Sequence, residues 1–293
     1  MPELPEVETV RRGLEPLLTG QRFVAVEQRR KDLRFPFPER FAERLTGRRI
    51  ERMGRRAKYL LVHLDRAEVL SIHLGMSGRL LIGRGVGASE LGRFTHNQPH
   101  RDPHDHVVFH VSSGVTVTFN DARRFGSMDL IAAGDLDTHK AFARLGVEPV
   151  SDALTAAYLA GIAAGRTTNL KAFLMDQRVV AGLGNIYVCE ALYRARLSPR
   201  RRTGTLADRS GHPRPRVPKL VASIRAVLED AIAAGGSSLR DYRQGSGELG
   251  YFQKSHAVYD RKSEACLTPG CGGTIRRLVQ AGRSTFYCPR CQR

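Results

Sequence analysis

The sequence predicts an α+β chain of several domains: a leading helix, a β-sandwich or barrel, a helical region, and a small C-terminal hairpin built around a metal. Three observations carry this reading. Short β-branched and apolar runs recur up to about residue 132, helical periodicity replaces them afterwards, and four of the five cysteines lie from Cys266 onward. A chain of 293 residues can bury enough core for two domains and a small appendage.

In MPELPEVETV the apolar positions Val7, Val10, Leu14, Leu17 and Leu18 recur at three- and four-residue steps, which predicts an amphipathic helix from about Glu6. Pro5 falls in or just before its first turn, where a missing N–H costs nothing, and Glu3, Glu6 and Glu8 gather at the positive end of its dipole. The runs FVAVEQ, KYLLVHL, VLSIHL, RLLIG, HVVFHV, VTVTF and SMDLI then read as strands, interrupted from Gly83 to Pro103 by a long surface loop. Helical patterns follow in AFARLG, LTAAYLAGI, LKAFLMDQ, NIYVCEALYRARL and KLVASIRAVLEDAIAAG. The last carries a core stripe of Leu220, Val221, Ile224, Val227, Leu228 and Ile232. VVAGLGN is a Gly-rich turn with Asn185 as its expected N-cap, and the Pro/Arg-rich stretch from Pro199 to Pro218 reads as a mobile basic loop. A second Gly-rich stretch, GGSSLRDYRQGSGELGYFQ, reads as a linker or as a loop that closes over a ligand.

Composition narrows the function classes. Lys and Arg outnumber Asp and Glu by 47 to 29, a formal net charge of +18, and this favours a nucleic-acid partner. No run approaches a membrane span and the N-terminus lacks the pattern of a signal peptide, so a cytoplasmic protein is expected. The pairs CLTPGC and CPRC supply Cys266, Cys271, Cys288 and Cys291 at a spacing close to that of four-thiolate zinc sites. One structural Zn²⁺ is expected, with no open coordination position. Cys189, inside a helical pattern, reads as a buried inert thiol.

Other residues invite a chemical reading. Without Met1, Pro2 would present a secondary amine beside carboxylates. Lys58 is read on a strand, facing the same way as Leu60, Val62 and Leu64, where a lysine needs a partner or a task, whereas His63 and His73 read as structural. The GLGN turn and Lys171 could cradle a phosphate. IHLGMSG and NDARRFG join flexible backbone to Met76 and Phe125, which could wedge into a base stack, and to Arg123, which could reach a base edge.

Together these stretches resemble bacterial formamidopyrimidine-DNA glycosylases of the Fpg/Nei superfamily. The likeness runs in order through PELPEVETVRRG, RRAKYLL, HLGMSG, PHDHV, RRFG, LMDQRVVAGLGNIYVCEAL, GYFQ with VYDR, and GRSTFYCPRC. It implies an N-terminal β-sandwich over 1–132, a helix-two-turn-helix domain over 133–261 and a zinc finger over 262–293, in a monomer that holds double-stranded DNA between lobes. It implies a bifunctional glycosylase and abasic-site lyase that removes oxidised purines. Pro2 would be the nucleophile, Glu3 the acid at the deoxyribose ring oxygen, Glu6 a support for the N-terminus, Lys58 the proton donor in β-elimination, and Arg283 the residue of δ-elimination, better described as a phosphate clamp. His104, Arg123, Arg166, Lys171 and Asn185 would contact DNA, with Met76 and Phe125 filling the space of the flipped base. The first cysteine pair departs from the family, with four intervening residues in place of the usual two, and the two long loops look longer than usual. Two other readings compete: an endonuclease VIII-like enzyme for oxidised pyrimidines, and a damage-binding protein without catalysis. Leu4, GYFQ and the Met76, Arg123, Phe125 set favour the purine branch over the first, and borohydride trapping separates an enzyme from the second.

Overall fold

A computed structural model describes residues 1–84, 102–237 and 252–293. Most of the predicted 83–103 loop and of the second Gly-rich stretch therefore lies outside the described residues. The chain forms two compact units, one of 1–143 with 235–251 and the other of 144–234 with 252–293. Among the described residues no helix is long and apolar enough to cross a membrane.

The first unit opens with helix α1 (Leu4–Leu18), which buries Val7, Val10, Leu14 and Leu18 with Pro5 in its first turn, as the periodicity predicts. Two antiparallel four-stranded sheets follow. One has the order β1 (Phe23–Gln28), β6 (Asp105–Val111), β7 (Val115–Asn120), β5 (Arg79–Arg84); the other runs β2 (Ile50–Arg56), β3 (Tyr59–Leu64), β4 (Glu68–His73), β8 (Ser127–Ala132). Period-two alternation sends Leu60, Val62 and Leu64 of β3 and Val115, Val117 and Phe119 of β7 into one shared core, to which α1 also contributes. Burying each such side chain is worth about 1.5–3 kcal/mol relative to exposure. The short helix α2 (Phe41–Leu45) and the strand β2 were not evident in the sequence. Charged residues and Gly54 break the apolar signal of β2, and its pairing with β3 makes it a strand.

The second unit contains α3 (Ala156–Ala163), α4 (Leu170–Met175), α5 (Asn185–Arg194) and α6 (Val217–Ala233), followed by a hairpin of β9 (Arg276–Gln280) and β10 (Arg283–Tyr287). Helix α5 is buried from Asn185 through Tyr193 and is the axis of the unit. Helix α6 packs on it through the predicted stripe, with Val221 and Ile232 half-buried at the edge. Three expectations need correction. AFARLG forms turns, too short and too close to Gly146 to propagate a helix. Asn185 is the first residue of α5, and extended Gly184 is its N-cap. The 199–218 stretch is packed: it holds a 3-10 turn (Thr203–Leu206) whose Thr203 is fully buried and donates from Oγ1 to the Thr168 carbonyl at 2.8 Å, while Gly204 N–H donates to the Arg166 carbonyl at 2.8 Å. Backbone pairing with 166–169 thus gives order to a segment whose composition suggests none.

Candidate active site

In the first unit one set of chemistry-bearing residues lies at the start of α1. Pro2 and Glu3 are buried, and Glu3 caps the helix. Glu6, fully buried, accepts from Glu3 N–H through Oε2 and from Ser237 N–H through Oε1, both at 2.8 Å. The same carboxylate therefore fixes the N-terminus and the beginning of the Gly-rich segment. Gly236 is in the left-handed region (φ +79°), and a Cβ there would come within 3.1 Å of Glu6 Oε1. The helix dipole favours a carboxylate at this end.

Glu8 does more than complement the dipole. It sits among three guanidinium groups, with Arg11, Arg12 and Arg55 donating at 2.9–3.2 Å. Burial pushes its carboxyl up, but the bonds from Arg11 and Arg12 and the nearby positive charges outweigh it and hold the group below the ordinary value. Arg55 also donates to the Ala57 carbonyl at 2.9 Å, so this cluster braces the β2–β3 turn.

That turn carries Lys58. The residue is not on a strand, as alternation predicts, but in the turn between Arg56 and Tyr59, where Ala57 takes φ +52°. Its side chain is buried nonetheless. His73, at the end of β4, lies close enough to feel it: burial first, and then the Lys58 and Arg34 charges, together lower the imidazole to about 4. His73 Nδ1 accepts from Gly75 N–H at 3.1 Å, which leaves the proton on Nε2. The ring also stacks on Tyr59, with centroids 4.7 Å apart. Where the sequence suggests only a structural histidine, the structure places the His73 ring within reach of the Lys58 charge.

The two turns bearing Met76 and Phe125 are fastened together by Asp121, which no motif singled out. Its fully buried carboxylate accepts from Ser77 Oγ at 2.6 Å and from Gly126 N–H at 2.8 Å, and Ser77 Oγ accepts in turn from Arg123 N–H at 3.1 Å. Gly75 (φ +65°) permits the contact, because a Cβ would come within 2.3 Å of the Phe125 backbone carbon. Phe125 is 45% exposed and lies under the Arg123 guanidinium at 5.0 Å from its centroid, while Met76 is half-buried. An exposed apolar ring and a cation are therefore presented side by side. His104 is exposed, and its carbonyl accepts from Asp121 N–H at 3.0 Å.

In the second unit Lys171 is fully buried on α4, and Arg166 is exposed with its guanidinium 5.5 Å from the Phe173 ring centroid. Asn185 donates from Nδ2 to the Ser284 carbonyl at 3.0 Å, which ties the start of α5 to β10. Glu190, on the same helix, was also missed. Its buried carboxylate accepts the N–H groups of Ala257, Val258 and Tyr259 at 2.8–3.0 Å and holds the VYDR stretch. Arg283 is exposed beside the hairpin turn, where Ala281 (φ +48°) and Gly282 (φ +71°) have the signs of a type I′ turn.

The four predicted metal ligands converge. The Sγ atoms of Cys266, Cys271, Cys288 and Cys291 all lie within 4.8 Å of one another, with Cys266 to Cys291 at 3.8 Å and Cys271 to Cys288 at 3.6 Å. Four sulfurs placed tetrahedrally about 2.3 Å from an ion are about 3.8 Å apart, so the set fits one Zn²⁺ and closes its coordination shell. Cys189 is buried on α5, as expected of an inert thiol.

Three family models match: the formamidopyrimidine-DNA glycosylase N-terminal domain over 1–128, the formamidopyrimidine-DNA glycosylase H2TH domain over 145–243, and the zinc finger found in FPG and IleRS over 264–293. The formamidopyrimidine-DNA glycosylase of Beijerinckia indica is 59% identical over 294 residues, covering 100% of both chains. Among solved structures, the MutM (Fpg) protein of Thermus thermophilus superposes with a TM-score of 0.81 at 38% identity, over 99% of this chain and 98% of that one. The Lactococcus lactis Fpg in complex with DNA containing N7-benzyl-Fapy-dG gives 0.82 at 33% identity, over 100% of each. Alike in sequence and in fold along its full length, the chain belongs to the formamidopyrimidine-DNA glycosylase family.

Proposed function

We propose that the protein is a DNA glycosylase and abasic-site lyase that removes oxidised purines, 8-oxoguanine and formamidopyrimidines, from double-stranded DNA, acting as a cytoplasmic monomer. The observation that carries this reading is the buried Pro2–Glu3 end, fixed by Glu6 in the unit that also buries Lys58. The functional division follows the predicted spans: catalysis in 1–132, DNA binding in 133–261 and a zinc-held finger in 262–293.

With Met1 removed, the neutral Pro2 nitrogen attacks C1′ of the damaged nucleotide and the glycosidic bond breaks, the base departing with the bonding pair and taking up the proton that the Pro2 nitrogen gives up. Glu3 protonates the ring oxygen, the C1′–O4′ bond opens, and an iminium joins Pro2 to the sugar. That cation acidifies C2′; loss of its proton expels the 3′ phosphate, with Lys58 as the proton donor, and a second elimination expels the 5′ phosphate. Arg283, permanently charged, clamps a phosphate. His104, Arg123, Arg166, Lys171 and the turn at Asn185 contact DNA, and Met76 and Phe125 occupy the space of the extruded base. Zinc supplies the fold of the finger and takes no part in the reaction.

Borohydride trapping on duplexes containing 8-oxoguanine, thymine glycol or no lesion tests the proposal. The expected result is a covalent adduct with 8-oxoguanine above all, reduced at least ~100-fold in rate by Glu3→Gln, at the low end of general-acid contributions. Tight binding without an adduct would instead mark a damage-binding protein, and preferential trapping on thymine glycol would mark a pyrimidine enzyme.

A further inference from the structure

The zinc ligands do not stand alone. Cys266 and Cys271 are separated by Leu267, Thr268, Pro269 and Gly270, and this spacer places Thr268 against the end of α5. Thr268 Oγ1 lies 2.7 Å from Tyr193 Oη and 2.5 Å from Arg196 Nη1, and Tyr193 Oη lies 3.5 Å from Cys266 Sγ. Arg196, in the left-handed region at φ +58°, also packs its guanidinium against the Tyr193 ring at 5.6 Å from the centroid.

The chemistry of the groups gives this cluster a direction. A guanidinium only donates, so Thr268 Oγ1 accepts from Arg196. Thr268 then has one proton to give and Tyr193 has one. With Thr268 O–H donating to Tyr193 Oη, the phenol proton goes to Cys266 Sγ, and every donor in the chain is used once. Thr268 Oγ1 also lies 3.8 Å from Cys291 Sγ, a longer approach to a second ligand. Four thiolates around Zn²⁺ carry a formal surplus of two negative charges, so a relay that begins on a fixed cation and ends on a sulfur stabilises the loaded site.

We propose that Tyr193, Thr268 and Arg196 form a hydrogen-bonded relay that delivers a donor to the Cys266 thiolate, which makes Tyr193 and Thr268 positioning residues that set how tightly the finger holds its metal. The relay joins the helical part of the second unit to the finger through the four-residue spacer. A second tie runs independently: Gln292 Nε2 donates to the Leu197 carbonyl at 2.9 Å while its Oε1 accepts from Cys288 N–H at 2.8 Å. Breaking the relay should therefore leave the finger docked.

The test uses the full-length zinc-loaded protein and competition with a chromogenic chelator. Tyr193→Phe keeps the ring and removes only the hydroxyl; it should weaken zinc retention about 10- to 100-fold, the range found when an outer partner of a ligand is lost. Thr268→Val should do the same, Thr268→Ser should behave as the wild type, and the double variant Tyr193→Phe/Thr268→Val should be no worse than either single change, since both cut one chain. In the cobalt-substituted protein the thiolate-to-metal charge-transfer band should move to longer wavelength in Tyr193→Phe and Thr268→Val but not in Thr268→Ser, because a thiolate without its donor gives up an electron more readily. Wild-type zinc retention and an unmoved band in both Tyr193→Phe and Thr268→Val would overturn the proposal. Equal loss in Thr268→Ser and Thr268→Val would do so too, by assigning the effect to packing.

Discussion

Asp121→Asn is the most informative single change in the first unit, because it alters one oxygen at the point where the turns bearing Met76 and Phe125 meet. The buried carboxylate of Asp121 accepts two bonds, one from Ser77 Oγ and one from Gly126 N–H. An asparagine keeps a single acceptor. If its Oδ1 stays on the fixed Gly126 N–H, its Nδ2 faces Ser77 Oγ, whose proton must turn away while that oxygen still accepts from Arg123 N–H. Both bonds to the ionised group become neutral and the Ser77 bond reverses to Nδ2 donating to Oγ, a combined loss of about 1.5–3 kcal/mol, the worth of one hydrogen bond to a charged group. At about 1.4 kcal/mol per factor of ten, this corresponds to about a 10- to 150-fold shift away from the registered turns. If Met76 and Phe125 hold the stack open as proposed, excision of 8-oxoguanine from a duplex should slow by that factor. Borohydride trapping on a single-stranded abasic site, which has no stack to open, should stay within about threefold of the wild type. Wild-type excision by the variant, or an equal fall in both reactions, would refute the role given to Asp121.

Three further outcomes are expected. Glu8→Gln removes the carboxylate shared by Arg11, Arg12 and Arg55, while Arg11 keeps its pair with Glu15, and should cost about 1.5–3 kcal/mol in urea unfolding, as for hydrogen bonds to a charged group in a partly exposed cluster. Because the folded-state pKa of Glu8 is depressed, its contribution is complete above the unfolded value of about 4.3 and vanishes as pH falls through the folded value, so the gap between wild type and variant should be constant near neutrality and close in acid. DNA affinity should fall with salt at a log–log slope of about −0.9 per phosphate neutralised, and a flat profile would exclude the proposed phosphate contacts. Zinc content of one per chain should be lost in Cys288→Ser together with DNA binding, whereas binding that survives without metal would remove the finger from the interface.

What could be read from the sequence follows the distance over which each feature is encoded. The zinc site was legible because its ligands lie in two short pairs, and seven of the first unit's strands, from FVAVEQ to SMDLI, were legible because alternation is a local property. Strand β2 was not, since its alternation is broken and its pairing with β3 gives it its conformation. The 199–218 stretch misled for the same reason: Pro and Arg report local preference, while bonds to 166–168 decide the outcome. At the site, motif residues such as Lys58, Met76 and Arg123 could be named, but not their geometry. Lys58 needed the turn at Ala57 to be located. Asp121, His73 and Glu190 act on backbone groups or charges that a linear motif does not display. Glu190 binds residues 67 to 69 positions away, which no local pattern can encode.

The opening residues show how scaffold and chemistry divide a single short segment. Pro5 lies in the first turn of α1, Glu8 is spent on three arginines, and Glu6 holds Glu3 N–H and Ser237 N–H. Pro2 precedes the N-cap, so its nitrogen belongs to no helical bond, and it is buried beside a buried carboxylate in a medium that disfavours its cation. While Met1 is attached that nitrogen is a tertiary amide, its lone pair is delocalised into the carbonyl, and it cannot attack C1′. The intact mass of active protein should therefore be one methionine residue below that of the full sequence. A preparation with an uncleaved N-terminal extension should still bind lesion DNA, because the exposed Arg123, Arg166 and Arg283 are untouched, but should yield no borohydride adduct. If the extended protein is trapped at the wild-type rate, the nucleophile is not Pro2, and buried Lys58 becomes the amine to test next.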